Sequence, residues 1–429
     1  MRTATAWSVV ATGLLTGLLL GDGVGVNLVI IAIPAVLAAF FAAQTAGRRP
    51  RPWTLIWSVG AVAMLVVPAL RDATWPSLLA VLGALALGSL ALHGSGDTWR
   101  GALLGAVGLI GAVPSGVSWG WKGVRQRAGG SRDRWWPVVR TAAVAVALLV
   151  VFGALFAGAD AAFADLLGGL IPELSVVDGP LRFLLFVVGV LGALAAARTA
   201  VAPYRWDRIE TTPGRARGRV EWALPLIVLN VLFAAFNLVQ LTVLFGGYDK
   251  VLSETGLSYA EYARQGFWQL LWATLLTLVV IAFALRWAPR GRQSDGALVR
   301  GVLGTLCLLT LVVVVSALRR MDLYVDAYGL TRLRLSVFGM ELLLGVVIVL
   351  IMVAGVRGAV SSSGGRGAGW LPRAVLASGG VAVLSFGLLS PDGLIADQNV
   401  KRYERTGKID LVYLQGLSAD AVPALDRLP

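Results

Sequence analysis

Four kinds of residue in this 429-residue chain have the chemistry to do something: one carboxylate inside an apolar run, a row of carboxamides inside another, one histidine, and clusters of Tyr, Arg and acidic side chains between runs. Glu341 is the only acidic residue well inside an apolar run. It stands six residues, roughly 9 Å, into the run 335–356. A carboxylate in lipid is costly enough that it marks either a structural ion pair or a proton- or ligand-linked group, and both readings stay open. Its expected partner is Arg334, seven residues earlier and so on nearly the same helical face. Asn230, Asn237 and Gln240 lie in the run 222–246. At about 100° per residue Asn237 falls some 20° round from Asn230, and Gln240 some 80° round on the same side. This stripe is expected to face the bundle interior, either as interhelical hydrogen bonds worth about 0.6–2 kcal/mol or as the lining of a substrate path.

One His and one Cys exclude whole classes of chemistry. No disulfide can form within the chain. Cys/His zinc sites, iron–sulfur clusters and bis-His haem need more ligands than His93 and Cys307 supply, so no metal and no cofactor is expected. His93 stands in a Gly-rich stretch, His93-Gly94-Ser95-Gly96, and is read as a solvated loop residue rather than as a catalytic base. The only Gly-Lys pair, Gly407-Lys408, is followed by Ile and lacks a Walker A loop. No catalytic residue is assigned.

The polar clusters fall at Tyr259-Ala-Glu261-Tyr262-Ala-Arg264, at Arg319 through Arg334 with Asp322, Tyr324, Asp326, Tyr328 and Arg332, and in the tail from Asn399. Charges of both signs can satisfy one another as a scaffold docking the tail, or they can form a ligand or partner site. Tyr262, Arg264, Tyr324, Tyr328, Arg334, Glu341, Arg402, Tyr403 and Asp410 are the candidates for that site. Within the tail, Asn399, Arg402 and Tyr403 share a helical face, Gly407 can end that helix, and Ser418 can cap another containing Asp420.

The elements that position these residues follow from composition. The chain is 57% hydrophobic and 14% charged, with a mean hydropathy of +0.77. A water-soluble globular fold is excluded. Apolar runs lie at about 4–20, 25–45, 54–70, 76–92, 100–119, 136–157, 181–201, 222–246, 266–287, 301–318, 335–356 and 373–390. Each has the length needed to cross a hydrocarbon core of about 30 Å as a helix. The Arg-rich loops at 46–54 and 120–140 both belong on the cytoplasmic side, yet three candidates separate them, and an odd number cannot return the chain. The run 100–119, broken by five glycines and Pro114, is the one read as re-entrant or interfacial.

Eleven spans are expected, with the N-terminus inside and the C-terminus outside. This arrangement places 24 of the 37 Lys and Arg inside, and 17 of the 24 acidic residues outside, which is the polarity insertion demands. The net charge of +13 is therefore an insertion signal rather than a nucleic-acid footprint. The preference for Arg over Lys, 33 to 4, reads as the codon bias of a high-GC bacterium. The first run, with a single Arg2 and no small-residue cleavage site, reads as an uncleaved span.

Two further features are structural on this reading. Gly13, Gly17, Gly21 and Gly25 recur every fourth residue and let another helix approach. In the segment 158–180, Phe163, Leu166, Leu167, Leu170 and Ile171 make one face of a helix lying flat on the outer surface. The expected organisation is a four-span region with its re-entrant segment (1–135), a seven-span region (136–390) and a helical extracytoplasmic tail (391–429).

The chain resembles a bacterial family of polytopic membrane proteins catalogued only as a domain of unknown function, the group numbered four-one-seven-three and its four-one-five-three relatives. The matching residues are Phe245-Gly246-Gly247, the cluster Tyr259 to Phe267, Arg320-Met321 with Tyr324, Ala327 to Arg334, and the tail's Asn399, Arg402-Tyr403, Thr406 to Asp410 and Asp420 to Pro423. The likeness is specific over about 220–429 and one of layout before it. It implies an architecture and supplies no activity. The expectation is an all-α integral membrane protein of the bacterial cytoplasmic membrane. It would be non-enzymatic, with the bilayer and an extracytoplasmic protein or small ligand as partners and no nucleic acid. A transporter or lipid-handling permease is the alternative.

Overall fold

The computed structural model describes residues 1–21, 23–127, 179–209, 217–246, 267–289, 294–360 and 369–429, with a few single positions in 141–156. Side chains of 241–246 and 358–360 are not among the described atoms. Every regular element among the described residues is helical: α1 (Thr3–Leu19), α2 (Val26–Thr45), α3 (Pro52–Leu70), α4 (Thr74–His93), α5 (Trp99–Gly111), α6 (Val113–Arg127), α7 (Gly179–Val201), α8 (Arg219–Gly246), α9 (Phe267–Trp287), α10 (Asp295–Tyr328), α11 (Arg332–Val360), α12 (Leu371–Leu388), α13 (Pro391–Thr406), α14 (Leu411–Gln415) and α15 (Val422–Leu425). Short 3₁₀ turns at Trp206–Arg208 and Ala419–Ala421 complete the list.

Nine of these helices are long and apolar enough to cross a membrane, or ten with the bent pair α5–α6 counted as one. The protein is a multi-pass membrane protein. The helix α1 has 17 residues, about 25 Å, and is a shorter apolar helix than the rest. The expected span 136–157 and the surface helix 158–180 fall outside the described residues, save single positions of the first and the last two residues of the second. The count is in rough agreement with eleven.

The described chain forms two compact units, Met1–Leu70 with Leu78–Arg208, and Arg71–Ser77 with Ile209–Pro429. In the first, α1, α2 and α7 pack through small side chains, with Val9, Ala38, Ala42, Ala193 and Ala197 in the core. Side chains at Gly13 and Gly17 would collide with Val190, Phe186 and the Arg182 carbonyl of α7. Gly13 and Gly17 thus serve the packing of α1 against α7, and the two helices run antiparallel.

The pair α5–α6 bends by 48° at Ala112. Its beginning is held where α4 ends: Asp207 accepts hydrogen bonds from the Gly96 and Thr98 backbone and the Thr98 hydroxyl. A Cβ on Gly116 would meet the Ala195 backbone of α7 at 2.8 Å, and one on Gly123 would meet Met1. A pair bent in this way is a broken span or a re-entrant segment.

His93 differs from expectation. It is 3% exposed, its Nδ1 donates to the Ser89 carbonyl at 2.8 Å, and Trp206 lies 6.3 Å away ring to ring. Rather than entering solvent, the chain after α4 folds back under α5, whose Gly108 leaves room for the imidazole.

In the second unit α8 and α10 run parallel, joined at their starts by Arg219 to Asp295 at 2.5 Å, with α9 antiparallel to both. Trp222, Ile281, Leu306 and Ile348 fill the core between α8, α9, α10 and α11. The glycine between α10 and α11, Gly329, has φ +81° and ψ 169°, a conformation open essentially to glycine alone. This turn reverses the chain, so that α11 descends beside α10 and α12 returns.

Candidate functional site

The tail is locked onto the turn between α10 and α11. The last carbonyls of α10 have no partner within the helix and must be satisfied from outside. Arg402 of α13 donates to the Asp326 and Ala327 carbonyls at 3.1 and 2.5 Å, and to Lys408 at 3.1 Å. Asn399 donates to Leu330 at 2.8 Å, and Arg334 donates to the Gly329 carbonyl. A guanidinium at a helix C-terminus also opposes the partial negative charge there.

A second attachment centres on Asp392, which is fully buried. Arg332 grips it with both arms, Nε to Oδ1 at 2.9 Å and Nη2 to Oδ2 at 2.5 Å. The Trp75 indole and the Ser418 N–H donate to it at 3.2 and 2.9 Å. Burial alone would raise this carboxyl's pKa, but Arg332 and the two N–H donors outweigh it and hold it down to about 2. Nearby Asp420 accepts from the backbone of Asp72 and Ala73 at 3.1 and 3.2 Å, and Asp72 accepts from Ala419 at 3.2 Å. The segment 71–77, the turn 329–332 and the tail are therefore one assembly at one end of this unit.

Tail capping follows the sequence in part. Gly407 ends α13 with φ +67°, as expected. Ser418 precedes the 3₁₀ turn, but its hydroxyl makes no cap and lies 3.5 Å from Asp420. Asp410 is the capping residue actually used, accepting from Tyr413 N–H at 3.0 Å at the start of α14.

The candidate residues divide accordingly. Arg334 lies over the Tyr324 ring at 4.1 Å and the Tyr328 ring at 5.8 Å, and the two tyrosines meet edge to face at 5.1 Å. Arg402 is engaged with the carbonyls. Tyr403 is half-buried beside it on α13, and Asp410 is exposed. Tyr262 and Arg264 lie outside the described residues.

Glu341 is fully buried two helical turns below Arg334, and its partner is not Arg334. The Thr274 hydroxyl of α9 is 3.3 Å from Oε1, and Oε2 has no partner among the described residues. Shared helical face put the two residues in line, but the guanidinium turns toward the tyrosines and the Gly329 carbonyl.

The carboxamide stripe faces α10. Asn230 and Asn237 donate to the Val302 and Leu309 carbonyls at 3.0 and 2.9 Å, seven residues apart on both parallel helices. Gln240 accepts from Arg320 at 3.1 Å. These contacts are interhelical hydrogen bonds, and the Oδ1 atoms of both asparagines are buried without a partner among the described residues.

Sequence reasoning missed Asp392, Arg332, Trp75 and Asp420 as a group. The partners of Asp392 are 26, 60 and 317 residues away, so no local spacing signals them. No cluster of three metal-ligating side chains occurs among the described residues.

A family model described as "Domain of unknown function (DUF4153)" matches residues 58–428. No curated protein and no solved structure matches the chain. The match spans both units and reaches well before residue 220, where the specific likeness begins; the helical membrane protein with the locked tail belongs to the DUF4153 family.

Proposed function

We propose that this protein is a non-enzymatic sensing or assembly protein of the bacterial cytoplasmic membrane, working through a polar patch on its extracytoplasmic face. The observation that carries the reading is the attachment of the tail by buried Asp392 and by Arg402, which makes the patch a fixed surface rather than a tethered segment. A preorganised surface loses little conformational entropy on meeting a partner. Tyr328, 51% exposed, and the outer edges of Tyr403 and Arg334 are the parts of it left for recognition.

The orientation, N-terminus inside and C-terminus outside, is supported by the charge distribution, and two juxtapositions agree with the grouping of segments by side. Segments 71–77, 329–334 and the tail, all assigned outside, meet one another. Arg48 and Ala200, both assigned inside, are joined by a 2.9 Å hydrogen bond.

The test is Tyr328→Ala and Tyr403→Ala, each checked for melting temperature in detergent and for crosslinking in cells from a photoreactive residue at Gln415. Unchanged melting with loss of the crosslinked species supports a recognition surface. Unfolding by either substitution would make the patch a scaffold and end the reading.

A transport role is the second reading, supported by buried Glu341 with its unpartnered Oε2. Proteoliposome flux insensitive to Glu341→Gln would remove it.

A further inference from the structure

Between the start of α9, the last turns of α10 and the start of α11 lies a cavity of about 140 Å³. Its walls are apolar, from Phe267, Met321, Leu333 and Val337, and Tyr324 and Arg334 stand at its polar edge. Phe267 opens one membrane-crossing helix and Arg334 is the third residue of another, so the cavity sits at the boundary between hydrocarbon and water. Trp268, also in its lining, is 47% exposed, as an indole at that boundary commonly is.

Arg334 is the chemically unfinished part of this arrangement. One arm donates to the Gly329 carbonyl and the guanidinium plane rests on Tyr324, which fixes its direction. Among the described residues Nε and Nη2 have no partner and no carboxylate pairs with the group: Glu341 is two turns deeper with Thr274, and Asp322 pairs with Arg319 at 3.3 Å. Arg332, two residues away, by contrast holds Asp392 with Nε and Nη2, and its Nη2 also donates to the Gly416 carbonyl at 3.1 Å. An oriented guanidinium with two N–H groups to give suits a phosphate better than a point charge would.

We propose that this cavity binds one anionic phospholipid, with the phosphate on Nε and Nη2 of Arg334 and the upper part of an acyl chain against Phe267, Met321, Leu333 and Val337. The apolar walls favour a lipid over a free anion, and the unneutralised cation favours an anionic lipid over a zwitterionic one. The site deepens the reading of the patch as a ligand surface and rests on that reading only for the leaflet that supplies the lipid.

The experiment uses the purified full chain in maltoside detergent, with lipid retention followed by native mass spectrometry. Wild type is expected to retain one phosphatidylglycerol under conditions that strip phosphatidylcholine, and Arg334→Gln to weaken that retention about tenfold or more. Val337→Trp, which fills the cavity and keeps the guanidinium, is expected to weaken it as well. Equal retention of the two lipids, or no change in a variant with wild-type melting, would overturn the proposal. Inorganic phosphate at equal concentration is expected not to displace phosphatidylglycerol; full displacement would make this a free-phosphate site and overturn the lipid assignment. A wild-type readout covers variants that fail to fold: a diazirine-bearing phosphatidylglycerol should crosslink to the peptides around Phe267, Met321 and Leu333. Crosslinks confined to other helices would contradict the site. If sidedness labelling put 329–334 in the cytoplasm while phosphatidylglycerol retention persisted, the patch reading would fail and the lipid site would stand.

Discussion

Replacing Arg332 by Gln leaves the Asp392 carboxylate buried with only the Trp75 and Ser418 donors, and the tail should loosen from the 71–77 and 329–332 segments. Breaking a buried ion pair by removing one partner costs about 3–5 kcal/mol. The Arg332 side chain is 39% exposed, so the lower end applies, about 3 kcal/mol. Hydrogen exchange of the tail amides in detergent should then accelerate by roughly a hundredfold, from protection that depends on local opening. Substituting both residues, Arg332→Gln with Asp392→Asn, removes the stranded charge and should be less disruptive than Arg332→Gln alone. The pH dependence follows from the same pair. The folded pKa of about 2 lies below the ordinary carboxylate value of 3.8, so the contribution, about 2 kcal/mol, is complete above pH 4. It is lost as pH falls from about 4 to 2. Tail exchange unchanged in Arg332→Gln, or a double variant worse than the single one, would refute the claim that this buried pair holds the tail.

Other substitutions probe the same framework. Gly329→Ala forces a side chain into a glycine-only conformation and against the Asn399 carboxamide, and should cost about 2–3 kcal/mol, read as a lower detergent melting temperature and faster exchange at 329–334. Asn237→Ala removes one bond to the Leu309 carbonyl and should cost about 0.6–2 kcal/mol, with Asn230→Ala adding a similar amount because seven residues separate them. A loss above about 4 kcal/mol from either would mean the stripe does more than join α8 to α10.

The sequence carried the helices well because lipid imposes one rule on them: a long apolar run must be helical to satisfy its backbone. It also carried the face of the carboxamide stripe, since 100° per residue holds within any straight helix and both asparagines do meet α10. The glycines and Pro114 of 100–119 marked the place where the helix breaks, and the pair α5–α6 does bend there by 48°. Lateral partners were a different matter. Glu341 and Arg334 share a face, but which neighbour each meets depends on α9 and on the Gly329 turn, and nothing local encodes either. Asp392 followed an apolar run and looked like the start of a polar tail; its burial exists only because segments from three parts of the chain close over it.

The side of the membrane that bears the tail decides the central claim, an extracytoplasmic patch. With Cys307 replaced by Ala, Gln415→Cys on the exposed surface of α14 and Gln44→Cys beside the Arg48 loop would be labelled in intact cells with a membrane-impermeant maleimide. The account predicts labelling at 415 and none at 44 until the cells are opened. Labelling at 44 and not at 415 would contradict it and move the tail, the 329–334 turn and the patch to the cytoplasm.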